Sequence, residues 1–252
     1  MEWNKKNRYH DVTLSSKWGY SYVANWEIDF KGPHEIKEHS LKKLLEQWKN
    51  AQKMLPALKI YQIHSATFES GVLENTEVLR ALDKIRESTG VKIGLSVSGP
   101  HQKDILLAAS KVTVNDKKLF DSYQATYNVL EQSCFGILKE IMADGKTVII
   151  KEAIANGRLL ENKKFMHYRS TYAILKELSD KYGVGTDAIA LRFIIDFLGP
   201  QLVLSGASNT LQLDQNIKSL HFNLSQGDLS QLELLAIEPD PYWKERSLLF
   251  WH

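Results

Sequence analysis

Leu58-Lys59-Ile60-Tyr61-Gln62-Ile63-His64 is a short apolar run that delivers a histidine at its C-terminal end. Residues 12–16, Val-Thr-Leu-Ser-Ser, deliver Lys17 in the same way. In barrels of alternating strands and helices, residues at that end of a strand face the mouth where chemistry is done. Lys17 and His64 are therefore the first candidates for a catalytic role. Taken singly, each also has a plainer reading, a solvated rim charge for the lysine and a hydrogen-bonded packing residue for the histidine.

A long aromatic loop follows Lys17, with Trp18, Tyr20, Tyr22, Trp26 and Phe30, and Pro33 closes it. Such a loop suits an apolar substrate wall, and equally suits packing onto the scaffold. Leu41, Leu44, Leu45, Trp48, Ala51 and Leu55 recur at helical spacing and predict an amphipathic helix ahead of the strand at 58–63. Val78, Leu82 and Ile85 predict a second over 75–88.

Residues 91–97 (VKIGLSV) read as a strand, and Ser98-Gly99-Pro100 turns it into a helix near 101–110. Asn115-Asp116, between two alternating runs, predicts a small hairpin. A strand at 120–127, a helix at 134–143 stopped by Gly145, and a strand at 147–151 follow. Next come a helix at 169–182 ended by Gly183 and a helix capped by Thr186, carrying Ile189, Phe193, Ile194 and Phe197. A strand at 201–205, a helix through Leu220 and a helix at 228–237 complete the series.

This alternation predicts parallel strands joined by right-handed crossovers. Length suits a complete eightfold barrel, yet only six core strands can be placed. Eleven residues before Val12 leave no room for another strand–helix unit. The expected fold is an incomplete (β/α) barrel of TIM type, one domain over residues 1–252.

Bulk properties narrow the function. The net charge of +2 and the lack of a long basic block argue against a nucleic-acid footprint. One cysteine, Cys134, excludes an internal disulfide and a cysteine-built zinc site, and suits a reducing cytoplasm. No metal site is expected. The N-terminus lacks the apolar core of a secretory signal. Arg192, Asp196, Gly199 and Pro200 interrupt the most apolar long stretch, 188–207, so no membrane span is expected.

No GxGxxG run is present, so a Rossmann pyrophosphate turn is unsupported. Instead, Ser205-Gly206-Ala207-Ser208-Asn209 leads from a strand into a helix N-terminus. Such a junction offers unpaired N–H groups and a positive dipole end, which suit a phosphate. A glycine there permits close backbone approach. Asn209 and Gln212 also fit an ordinary capping box.

Together these residues resemble the aldo/keto reductase superfamily over residues 12–237. The carriers are the lysine of SSKWG, the histidine of YQIHS, VKIGLSVS, the glutamine of SYQATYNVLE, TVIIKEAIANGRL and LVLSGASNTLQLDQNIKSL. The resemblance implies a (β/α)₈ barrel whose third to eighth strands are those placed above. It implies NAD(P)-dependent interconversion of a small-molecule carbonyl and an alcohol. Of the family's aspartate, tyrosine, lysine and histidine tetrad, Lys17 and His64 carry over. The other two belong to the first two units, and Tyr20 and Tyr22 do not match the donor's position.

On the cofactor side, the resemblance assigns Gly206, Ala207, Ser208, Asn209, Gln212 and Asn216 to the adenosine-phosphate half of NADP, with NAD possible. It assigns Ser96 and Gln124 to the nicotinamide carboxamide. Ser208 stands where a basic residue often meets the 2′-phosphate. Val97 replaces a common asparagine, and Lys151 a common stacking aromatic. Lys151 beside Glu152 also reads as a simple ion pair.

A barrel lacking its first two strands leaves the strands at 12–16 and 201–205 unpaired along one side. The expectations are an N-terminally truncated chain, a decayed relative, or an oligomer covering the gap. A non-catalytic dinucleotide-binding or regulatory relative is the alternative function. A lyase using Lys17 through a Schiff base is a third, which needs a desolvated lysine pocket.

Overall fold

The computed structural model describes residues 12–249 apart from 26, 28–29 and 55–56. Leu55 and Trp26, read above as helix and loop residues, lie outside the described residues. The described chain divides into two compact units, residues 12–98 with 104–123, and residues 99–103 with 124–249. Both are α/β, with parallel strands alternating with helices.

In the first unit β1 (Leu14–Trp18) is followed by the short β2 (Tyr20–Tyr22) and β3 (Glu35–Lys37), which pair antiparallel with Tyr20 opposite Lys37. Helix α1 (Leu41–Met54) leads to β4 (Leu58–Ile63), which pairs parallel with β1. Leu44 and Ala51 are buried, whereas Leu45 is 50% exposed. Trp48 lays its ring on Tyr61 with centroids 4.9 Å apart. The apolar stripe is thus narrower than the spacing predicts.

Helix α2 (Thr76–Thr89) buries Val78, Leu82 and Ile85. Asn75 caps its start by accepting from the Val78 N–H at 3.2 Å. Gly90, at φ +72, ends it in the left-handed conformation that glycine adopts without a Cβ clash. Strand β5 (Lys92–Ser96) then pairs parallel with β4.

Most of α3 (Gln102–Ala109) belongs to this unit, as do β6 (Thr113–Val114) and β7 (Lys117–Lys118). The latter two form the hairpin predicted around Asn115 and Asp116, whose φ values of 50° and 60° are those of a type I′ turn. The parallel order is β1-β4-β5, followed by the start of β8 (Ser122–Thr126). Gly94 makes that neighbour possible. A Cβ there would overlap the hydroxyl and carbonyl oxygens of Ser122 and press on Gln62.

The second unit takes up β8 and orders its strands β8-β9-β10. Helix α4 (Phe135–Ala143) links β8 to β9 (Thr147–Lys151). Helices α5 (Arg169–Tyr182) and α6 (Thr186–Phe193) precede β10 (Leu202–Val203), and α7 (Thr210–Ile217), α8 (Gln226–Glu233) and α9 (Pro239–Ser247) follow it.

Several boundaries shift for physical reasons. Lys17 lies inside β1 rather than past its end, because pairing with β4 continues to Trp18 opposite Ile63. Strand β10 keeps two residues of the five expected, and among the described residues it pairs with β9 alone. Gly185, not Thr186, is the N-cap of α6, and that helix runs on through a π turn, Ile194–Leu198. Helix α8 starts and ends earlier than 228–237, because Ser225 and Asp228 form a capping box at its start. Among the described residues no helix is long and apolar enough to cross a membrane, and no cluster of His, Cys, Asp and Glu is arranged to hold a metal ion.

Candidate functional site

Lys17 stands opposite Gln62 in the pairing of β1 with β4, and His64 comes two residues after Gln62. Lys17 and Gln62, paired across neighbouring strands, share one face, and His64 follows the last residue of β4. Gln62 is buried there, with its amide 3.5 Å from the Ser122 hydroxyl. Lys17 is exposed by surface area. Desolvation by the protein around it still lowers its pKa below the ordinary lysine value. Among the described residues its ammonium has no hydrogen-bond or carboxylate partner.

His64 is half-buried and packs its ring on Tyr20, centroids 4.7 Å apart. Its N–H donates to the Trp18 carbonyl at 2.9 Å. Trp18 itself is 1% exposed, edge-on to His39, so this part of the aromatic loop packs inward. Ser96 is buried, and its hydroxyl oxygen accepts from the Ser65 N–H at 2.9 Å. That hydroxyl keeps its own proton for a further acceptor.

The second unit holds a cavity of about 470 Å³. Its wall brings together Gly206, Ala207, Gln212 and Asn216 from the junction marked in the sequence. The other marked residues of this unit do not line it. Ser208 and Asn209 are exposed, and Gln124 is buried on β8. Residues not marked as cofactor ligands also contribute, chiefly Lys151, Glu152, Asn156, Asp187 and Ser205. The Asn156-Gly157 dipeptide was a readable turn signal. Asp187 comes from a separate helix, and nothing local ties it to the cavity.

The junction is tightly wired. Ser205 Oγ accepts from the Ala207 N–H at 3.2 Å and from Asn216 Nδ2 at 2.8 Å. Asn209 Oδ1 caps α7 by accepting from the Gln212 N–H at 2.9 Å. The return bond of a capping box is redirected, because Gln212 Oε1 takes the N–H of Ser208 instead of that of Asn209. A Cβ built on Gly206 would meet nothing within 4 Å, so this backbone faces open space. Open backbone beside a helix N-terminus fits a phosphate-bearing nucleotide.

Backbone strain concentrates in residues 152–156, of which Glu152 and Asn156 line the cavity. Glu152, Ala155 and Asn156 have φ of 55°, 49° and 57°, left-handed values unusual for residues other than glycine. Such strain clusters at ligand clamps, where surrounding structure enforces it.

Helix α9 supplies that enforcement. Arg246 reaches Glu152 Oε1 at 3.1 Å, and Asn128 donates to the Tyr242 hydroxyl at 3.0 Å. Burial pushes the Glu152 carboxyl up, but the Lys151 and Arg246 charges with hydrogen bonds from Arg246 and Asn156 outweigh it and leave its pKa lowered. Lys151 Nζ lies 3.8 Å from Glu152 and donates to Thr126 Oγ1 at 2.9 Å. The ion pair is therefore present, within a wider network.

Comparison with solved structures shows the fold. An aldo-keto reductase from Bacillus halodurans, AKR11C1 in its holo form, matches with TM-score 0.70 and 18% identity over 92% of this chain and 76% of its own. The glycerol dehydrogenase AKR11B4 from Gluconobacter oxydans matches with TM-score 0.69 and 19% identity over 89% of this chain and 72% of its own. No curated protein matches the sequence. The sequence model of the aldo/keto reductase family matches residues 2–237, which takes in both units. On that match, the chain belongs to the aldo/keto reductase family of oxidoreductases.

Proposed function

We propose that this protein is an NAD(P)H-dependent oxidoreductase that interconverts a small-molecule aldehyde, ketone or sugar carbonyl and the corresponding alcohol. NADP is the expected dinucleotide and NAD the alternative. The observation that carries the proposal is the second-unit cavity, on whose wall four marked residues meet beside a helix N-terminus. Gly206 and Ala207 would let a phosphate approach the backbone, with Ser208 and Asn209 at the rim. Gln212 and Asn216 would meet the adenosine side, and Ser96 and Gln124 the carboxamide. One domain of the family is inferred, because the family match runs through both units. The single cysteine, Cys134, supports a reducing, cytoplasmic setting.

When bound, the dinucleotide supplies or accepts the hydride. As hydride reaches a carbonyl carbon, negative charge builds on the oxygen and requires a cation and a hydrogen-bond donor nearby. Lys17 would supply the charge. The lack of a counter-ion among the described residues leaves that charge available to an oxyanion. His64, pinned through its backbone to β1, would orient the substrate oxygen.

Titration of NADPH and NADH fluorescence with the protein tests the cavity, and oxidation of NADPH across an aldehyde panel tests the reaction. Saturable binding with turnover is the expected result. No fluorescence change up to millimolar protein would overturn the proposal. That Lys17 has no partner among the described residues also favours a second reading, a dinucleotide-binding relative without catalysis, which predicts binding and no turnover.

A further inference from the structure

We propose that Lys37 and His39 are positioning residues that hold the peptide carrying His64 in its working orientation. The inference rests on the reading of His64 as the substrate-orienting group. Strand pairing ends at Ile63, so the backbone polar groups after it need other partners.

Three of the five partners are side chains. The His64 carbonyl accepts from His39 Nε2 at 3.0 Å, which fixes that ring nitrogen as the donor. The Ser65 carbonyl accepts from Lys37 Nζ at 3.0 Å. Ser96 holds the other side, taking the Ser65 N–H on its hydroxyl at 2.9 Å and the Ala66 N–H on its carbonyl at 2.8 Å. Lys37 and His39 lie two residues apart where the chain leaves β3, and they reach two successive carbonyls. Between those carbonyls Ser65 sits at φ +50, a conformation it would abandon without support.

The surroundings are shaped to admit this clamp. Gly19, at φ +109, has no side chain, and a Cβ there would collide with the His39 ring. Gln47 bridges the same bend, accepting from the Gly19 N–H at 2.8 Å and donating to the Tyr20 carbonyl at 2.7 Å. The Lys37 ammonium also lies 5.6 Å over the Tyr20 ring, the same ring that packs on His64. The β2–β3 pairing therefore brings Lys37 and His39 to the end of β4.

The test compares His39→Phe, which keeps an aromatic of similar size, with His39→Gln, which keeps an N–H donor, and Lys37→Met with Lys37→Arg. Lys37 is exposed, so its replacement spares folding. The expected result is a fall of about ten- to hundredfold in kcat for His39→Phe and Lys37→Met. KM for the dinucleotide should stay unchanged, and the Gln and Arg variants should recover most of the loss. In parallel, the ring resonances of His64 should shift in the Phe and Met variants and return in the Gln and Arg variants. Wild-type kcat in both disrupting variants would overturn the inference. If the wild-type protein turns over no carbonyl, the oxidoreductase reading fails, and the His64 resonances alone decide the clamp. Resonances unmoved by either variant then overturn it.

Discussion

Gln212 Oε1 accepts two hydrogen bonds from Ser208, one from its backbone N–H at 2.8 Å and one from its hydroxyl at 3.0 Å. The side chain of the first turn of α7 thereby folds back on the loop and holds it in shape. The N–H groups of Thr210 and Leu211 remain without protein partners among the described residues. A phosphate would meet a formed cradle rather than order one.

Gln212→Glu separates capping from binding. A carboxylate can accept the same two bonds and suits the positive end of the helix, so stability should hold or rise by about 0.5 kcal/mol. Its charge opposes a phosphate, and dinucleotide affinity should fall about tenfold, or ~1.4 kcal/mol. Thermal melts and fluorescence titrations read the two effects. Unchanged affinity would remove Gln212 from the site.

Two glycines should behave oppositely. Gly94→Ala drives a methyl into Ser122 within paired strands, and about 3 kcal/mol of stability should be lost. Gly206→Ala places its methyl in open space, so stability should change by less than about 0.5 kcal/mol while the dinucleotide loses its close approach. Denaturant midpoints and binding titrations on both proteins check the contrast, and a destabilised Gly206→Ala would contradict it.

Lys17→Met should abolish most turnover without loss of stability. Desolvation lowers the pKa of Lys17 in the folded chain, so the charged amine opposes folding at neutral pH. An apolar side chain of similar length removes that opposition. The melting temperature should stay level or rise, as is common where a functional group is replaced by a better-packing one. A clear drop would mean that Lys17 has a structural partner after all.

Acid should weaken the second unit through Asp196 and Asp228. Burial raises both carboxyls, but the Arg192 hydrogen bonds to Asp196 and those of Lys181, Ser225 and Tyr182 to Asp228 outweigh it, and both end below the ordinary aspartate value. A depressed native pKa stabilises the fold above the unfolded value of about 4, and that contribution is lost as pH falls further. Urea midpoints should therefore decline below about pH 4. Asp228→Asn should lose about 1–2 kcal/mol at neutral pH, from the weakened cap of α8, and flatten the acid limb. An acid limb of unchanged slope would exclude Asp228 as its source.

What could be read from the sequence was local. Gly183 after α5 and the Asn115-Asp116 turn each act within a few residues of themselves, and both appear where the sequence puts them. The junction at 205–216 was legible for the same reason, since its loop and helix are contiguous. The β2–β3 pairing was not, because Tyr20 meets Lys37 across a long loop without alternation. Helix α9 was missed because Pro239-Asp240-Pro241 reads as a turn, and its role depends on tertiary contacts of Tyr242 and Arg246. The half-exposed Leu45 shows the limit of periodicity, which marks a stripe but not its width.

The reach of α9 back to Asn128 and Glu152 sets an order of events during synthesis. The strands beside the cavity leave the ribosome early, yet the groups that fasten their ends lie some ninety residues or more downstream in the chain. Until residue 246 emerges, Glu152 lacks its arginine, and its left-handed backbone lacks that support. The nascent chain would thus carry its strands for some time before the contacts of α9 complete the cavity wall at Glu152.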